Sequence, residues 1–112
     1  PSLVNRDRFP VISALTCVLN RYEYPAYASL GELLTLKEDG GAIAVWSSTG
    51  YSFPEAAEPL NEKLFNAYKA GRQPIGDAIL TALRQYAAEG HSANHLRTYT
   101  LLGDPAALTT TP

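Results

Sequence analysis

Two stretches of this chain are apolar almost without interruption: Phe9 to Cys17 (F-P-V-I-S-A-L-T-C) and Ala42 to Ser47 (A-I-A-V-W-S). A strand with one wet face alternates apolar and polar residues, whereas a strand covered on both faces, as in a parallel sheet, does not. The two runs are therefore predicted to be strands of a sheet buried on both sides. Between them, Ser29-Leu30-Gly31-Glu32 fits a capping box, in which the Ser hydroxyl accepts from the N3 amide and the Glu side chain reaches back to the N-cap amide. A helix is expected from Leu30 to about Lys37, stopped by Asp39-Gly40-Gly41. Strand, helix and strand in this order imply a right-handed parallel crossover.

The remainder reads as loops, two amphipathic helices and a last strand. Asn20 to Ala28 holds Tyr22, Tyr24, Tyr27 and Pro25 and is expected to be a loop. Gly50 to Glu58, with Tyr51 and Phe53, is expected to be a second loop, and Pro59 suits the first position of a helix, where its missing N–H would be unpaired anyway. Leu60, Leu64, Phe65 and Tyr68 then share one helical face. Gly71 breaks that helix, Pro74 opens another, and Ile75, Ile79, Leu83 and Tyr86 keep helical spacing until Gly90. Arg97 to Leu102 is predicted to be the third strand, Gly103-Asp104-Pro105 a turn, and Thr109 to Thr111 a frayed end. The predicted class is α/β: two parallel strands joined by a helix crossover, two further helices and a final strand. Three strands make a narrow sheet with exposed edges, so a pairing partner is expected.

Composition narrows the functions available. A net charge of -2 and no run of one charge sign leave no excess of Lys and Arg to neutralise phosphates, so no nucleic-acid partner is expected. No segment approaches the roughly 18 to 20 apolar residues that cross a bilayer, and no membrane partner is expected. Gly40-Gly41 precedes a strand instead of opening a helix, and no phosphate-cradling glycine motif occurs, which disfavours nucleotide binding; no cofactor is expected. The single cysteine forms neither an internal disulfide nor a thiolate zinc cage. A chain that lacks methionine and starts at Pro1 is expected to have been cut, processed or excised.

Cys17 stands where the first apolar run gives way to a polar, aromatic loop, and open parallel sheets bind ligands just beyond the carboxyl ends of their strands. Free cysteine is also among the most buried residue types, so position alone leaves a plain core role open. Ser47, Ser48 and Thr49 end the second run on the same side, either lining a groove or serving as ordinary strand-end polar residues. Tyr51 and Phe53 follow, as a pocket wall or as cover for a core edge. His91 and His95 have the i, i+4 spacing of a metal pair on a continuous helix, but Gly90 argues against that helix and no third ligand stands at motif spacing. They are read as surface histidines in a turn, with no metal site. Glu32 is explained fully by the capping box.

The segments P-V-I-S-A-L-T-C from Pro10, S-L-G-E-L-L from Ser29, G-G-A-I-A-V-W-S-S-T-G from Gly40 and L-G-D-P from Leu102, taken in that order, resemble the gingipain-type cysteine peptidases. The resemblance implies a three-layer caspase-like fold of which residues 1-112 are the C-terminal part. It implies that Cys17 is the nucleophile of an endopeptidase, with Ser47, Ser48, Thr49, Tyr51 and Phe53 on the substrate side and a peptide or protein as substrate. Such enzymes activate the thiol with a histidine, because a free thiol is mostly protonated at neutral pH. The family supplies it upstream in a His-Gly motif. No histidine precedes Cys17, so the resemblance places the base before Pro1, makes this chain alone inactive, and points to the N-terminal remainder of the domain, or a second copy of the chain, as the partner of the sheet. Two departures stand out: Val18-Leu19-Asn20-Arg21 replaces the glycine-containing turn often found after the cysteine, and the caspase Gln-Ala-Cys-x-Gly sequence is absent. The alternative is a non-catalytic caspase-like α/β module used for interaction or assembly. The family is often secreted, and the sequence itself leaves the compartment open.

Overall fold

The computed structural model describes residues 3–109. Its elements follow in the order β1 (Val11–Ser13), α1 (Leu30–Thr35), β2 (Ala44–Ser48), α2 (Pro54–Lys69), α3 (Ile75–Ala88), α4 (Ala93–Thr98) and β3 (Tyr99–Gly103). Among the described residues the sheet has three strands, in the order β1-β2-β3. β1 runs parallel to β2 with Ile12 opposite Val45, and β3 runs antiparallel to β2 with Leu102 opposite Val45. This is a mixed α/β architecture consistent with part of a caspase-like fold.

All five residues of β2 are buried, which explains why this run does not alternate. Ala44 and Trp46 face α2 and α3, where Leu60, Leu64, Ile75, Ala78, Ala82 and Tyr86 complete the core. Val45 faces the other way with its partner Leu102, whose side chain lies against Gly31 at the start of α1. The helices thus sandwich the sheet. The capping box forms as the sequence implies: Glu32 N–H donates to Ser29 Oγ at 3.3 Å and Ser29 N–H to Glu32 Oε2 at 2.7 Å.

Several boundaries differ from the sequence reading. The first strand is only Val11–Ser13, because past Ala14 the chain leaves the ladder and turns. The helix expected to open at Pro59 opens at Pro54, with Phe53 as an extended N-cap residue, and Pro59 lies inside it. Both prolines suit a helix start. Pro59 is tolerated because the carbonyl it leaves free belongs to Glu55, an exposed first-turn residue within reach of water. α4 was missed altogether, and the strand expected from Arg97 starts at Tyr99. Of the expected frayed end, Thr109 donates its N–H to Gln73 O at 3.2 Å, and Thr110 and Thr111 lie outside the described residues.

β1 and β3 are the sheet edges. Beside β1, Phe9, Pro10, Val11, Phe65, Tyr68 and Leu108 line an apolar groove. The Tyr68 hydroxyl has no hydrogen-bond partner among the described residues, and burial pushes its pKa up to about 12.

Candidate active site

Cys17 sits at the tip of a chain reversal. The chain climbs beside β2 as far as Ala14, whose N–H donates to Trp46 O at 3.0 Å. It then comes back down the same edge: Val18 N–H donates to Gly50 O at 3.0 Å and Asn20 N–H to Ser48 O at 3.2 Å. The cysteine therefore lies beyond the carboxyl ends of two parallel strands, where open sheets place ligands. To turn there, Val18 adopts φ +53. A left-handed conformation costs a non-glycine residue roughly 1–2 kcal/mol, and a β-branched one suits it least. The strain falls on the residue after the cysteine, where the sequence departs from a glycine-containing turn.

Asn20 locks the returning segment. Its side chain is fully buried, and Nδ2 donates to Val45 O at 3.1 Å and to Thr100 O at 2.9 Å, with Ser47 O further off at 3.4 Å. One amide thus ties the reversal to both β2 and β3. A Cβ on Gly31 would overlap Asn20 Oδ1, so a glycine is required for α1 to approach.

Among the described residues, the sulfur of Cys17 is held by one, Ser52. It donates to Ser52 O at 3.2 Å and accepts from Ser52 N–H at 3.3 Å. The Ser52 side chain points inward, where Oγ lies 3.2 Å from His95 Nε2 and 3.0 Å from the Tyr99 hydroxyl. His95 is 2% exposed, its ring stacks on Tyr99 at 5.7 Å, and its Nδ1 has no partner among the described residues. Burial lowers the His95 pKa and keeps the ring neutral near pH 7. Burial raises the pKa of Tyr99, and the nearby Cys17 raises it further, against the opposing hydrogen bond from Ser52.

The sequence-named residues divide in two. The hydroxyls of the buried Ser47 and Ser48 serve the backbone, Ser47 Oγ donating to Ala14 O at 2.9 Å and Ser48 Oγ to Gly50 O at 3.0 Å. Thr49 Oγ1 likewise donates to Thr98 O at 3.1 Å. Tyr51 and Phe53 are exposed and flank Ser52. In the tyrosine-rich loop, Arg21 pairs with Glu23 at 2.7 Å and stacks over the Tyr24 ring at 4.5 Å.

The two histidines have opposite fates. His91 behaves as expected of a surface residue, meeting Glu89 Oε2 at 3.0 Å and stacking on Tyr86 at 4.6 Å. His95 does not: α4 turns it into the core. Among the described residues no group of three or more His, Cys, Asp or Glu side chains could hold a metal ion. Ser52, His95, Tyr99 and Asn20 were all missed by the sequence reading. A signal existed for His95, whose i, i+4 partner is Tyr99 on the far side as well as His91. Ser52 could have been found by alternation, since an extended segment with Tyr51 and Phe53 outward turns Ser52 inward.

The model of Peptidase family C25 matches residues 1–109 of the chain. The chain belongs to peptidase family C25. It is thus a member of the gingipain group of cysteine peptidases, and the match spans β1 through β3 and both flanks of Cys17. No curated protein and no solved structure matches it. Family C25 is a family of cysteine peptidases, which implies a protein substrate.

Proposed function

We propose that Cys17 is the nucleophile of a C25 endopeptidase. The carrying observation is its placement: the single cysteine occupies a strained reversal beyond the carboxyl ends of two parallel strands, with its sulfur fixed by Ser52. The thiolate attacks the scissile carbonyl, a carbon–sulfur bond forms as the carbon–nitrogen bond breaks, and the amine leaves with a proton. Water then hydrolyses the thioester. Backbone N–H groups near the sulfur stabilise the oxyanion.

The histidine that takes and returns the proton comes from sequence before Pro1, and residues 1-112 form the C-terminal part of the catalytic domain. Support for this is local: His95 Nε2 is spent on Ser52 and His91 on Glu89, and neither is bonded to the sulfur. Tyr51 and Phe53 form the open wall against which the substrate lies, while Ser47, Ser48 and Thr49 hold the backbone behind it. The β1 edge is the place where the N-terminal remainder, or a second copy of the chain, adds to the sheet.

The test is Cys17→Ala in the full-length protein. Loss of protein hydrolysis with unchanged thermal melting is expected, and undiminished hydrolysis would sink the proposal. A second reading, a non-catalytic caspase-like module, is favoured by one observation: both backbone groups of Ser52 already occupy the sulfur. It predicts a full-length protein with no hydrolysis that Cys17→Ala could abolish.

A further inference from the structure

Cys17 lies past the end of β1, and its sulfur contacts come from Ser52, in the segment between β2 and α2. That segment has no ladder of its own to fix it. Gly50 is bound at its start, and Phe53 O accepts from Ala56 and Ala57 N–H at its end. Between them the anchor is the Ser52 side chain, which is buried with His95 and Tyr99. Its two partners come from α4 and β3, elements that share no residue with the loop.

The chemistry of this trio is tightly determined. Ser52, Tyr99 and a neutral His95 bring one polar hydrogen each and are joined by two hydrogen bonds; with the buried Ser52 hydrogen used within the trio, the chain of donors runs either from Tyr99 to His95 or the reverse. In either direction Ser52 gives one bond and accepts one, and its hydroxyl can neither rotate nor leave without stranding a buried polar group. The ring of His95 is itself wedged between Tyr86 and Tyr99, at 6.5 Å and 5.7 Å between centroids. A rigid core element is thereby coupled to the sulfur through one residue.

We infer that Ser52, His95 and Tyr99 are positioning residues for Cys17: the buried trio fixes the Ser52 backbone, and that backbone fixes the sulfur. The inference rests on Cys17 being the nucleophile. His95 acts here through Ser52 and never as the base. Displacing a nucleophile by about 1 Å can cost on the order of a hundredfold in rate, so a trio that holds the sulfur is expected to be visible in turnover.

The test uses the full-length protein with fluorescently labelled casein as substrate, and follows kcat and KM separately, with thermal melting as control. Ser52→Ala and Tyr99→Phe remove only a hydroxyl each and are chosen to preserve the fold. Ser52→Ala is expected to lower kcat about tenfold or more with KM within about twofold, and Tyr99→Phe to lower it less. His95→Gln keeps an amide nitrogen where Nε2 meets Ser52 and should retain kcat within about threefold, whereas His95→Leu should lose it like Ser52→Ala. A role in packing alone would rank Gln with or below Leu, since it buries an amide and forfeits the stack. Folded Ser52→Ala and Tyr99→Phe proteins with wild-type kcat would overturn the inference while Cys17→Ala remained inactive. Hydrolysis that survives Cys17→Ala would instead remove the nucleophile reading on which it rests.

Discussion

On the face of the sheet that carries Ala44 and Trp46, α2 and α3 bury Leu60, Leu64, Ile75 and Tyr86 almost completely, whereas on the face that carries Val45 and Leu102 the short α1 leaves Leu30, Leu33 and Leu36 at 53%, 57% and 77% exposure. The first face owes its order to packing. The second owes it to hydrogen bonds: the capping box of Ser29 and Glu32, and the buried Asn20 amide against which Gly31 rests. A fold with one packed layer and one polar-anchored layer concentrates stability on the α2–α3 side, and the reversal around Cys17 is held by a few specific bonds, from Asn20 on the anchored face and from Ser52 at the edge of the packed one.

Five measurements break or sharpen this contrast. Leu64→Ala strikes the packed face and should cost about 2–5 kcal/mol in denaturant unfolding, through lost burial and the cavity left behind. Asn20→Ala strikes the anchored face; it removes the buried amide bonds to Val45 O and Thr100 O and should cost about 1–3 kcal/mol, with local hydrogen exchange rising first at position 20 and Gly31. Val18→Gly should go the other way. It relieves roughly 1–2 kcal/mol of left-handed strain against roughly 0.5–1 of added unfolded-state entropy, for a net gain of up to about 1.5 kcal/mol.

A smaller effect comes from His95. Because burial places its folded pKa below the ordinary value of about 6.5, the unfolded chain binds a proton in the window between the two while the folded chain does not. Stability from this group is full above about pH 6.5 and falls as pH drops through that window, and His95→Gln should flatten this part of the stability profile. Least of all, Leu36→Ser on the open side of α1 should change stability by no more than about 0.5 kcal/mol; a cost like that of Leu64→Ala would mean that this face is covered after all.

Much of the scaffold was legible in the sequence because its signals are local. The unbroken run around Val45 gives a doubly buried strand, Ser29 and Glu32 give the start of α1, and Ile75, Ile79 and Tyr86 give the buried stripe of α3. Pro59 misled because two prolines within one segment both satisfy the rule for helix starts, and only tertiary packing of Ala57 and Leu60 selects Pro54. For the candidate site, the place of Cys17 beyond the strand ends was legible, and the residues that surround its sulfur were not. Ser52, His95 and Tyr99 meet over separations of 43 and 47 residues, and no period or short motif encodes such a meeting. His95 was assigned to the surface because a glycine precedes it closely, yet Ala93–Thr98 forms a single turn and a half that needs only to dock on Tyr86 and Tyr99.

The central claim is that Cys17 is the reacting atom's owner, and covalent trapping tests it most directly. The full-length protein would be incubated with a peptidyl acyloxymethyl ketone and the adduct located by peptide mass spectrometry. The account predicts one adduct per chain, on the peptide containing Cys17, formed in step with loss of protein hydrolysis and absent in Cys17→Ala. Hydrolysis that is fully inhibited with the label on another residue, or that persists with Cys17 fully labelled, would contradict it.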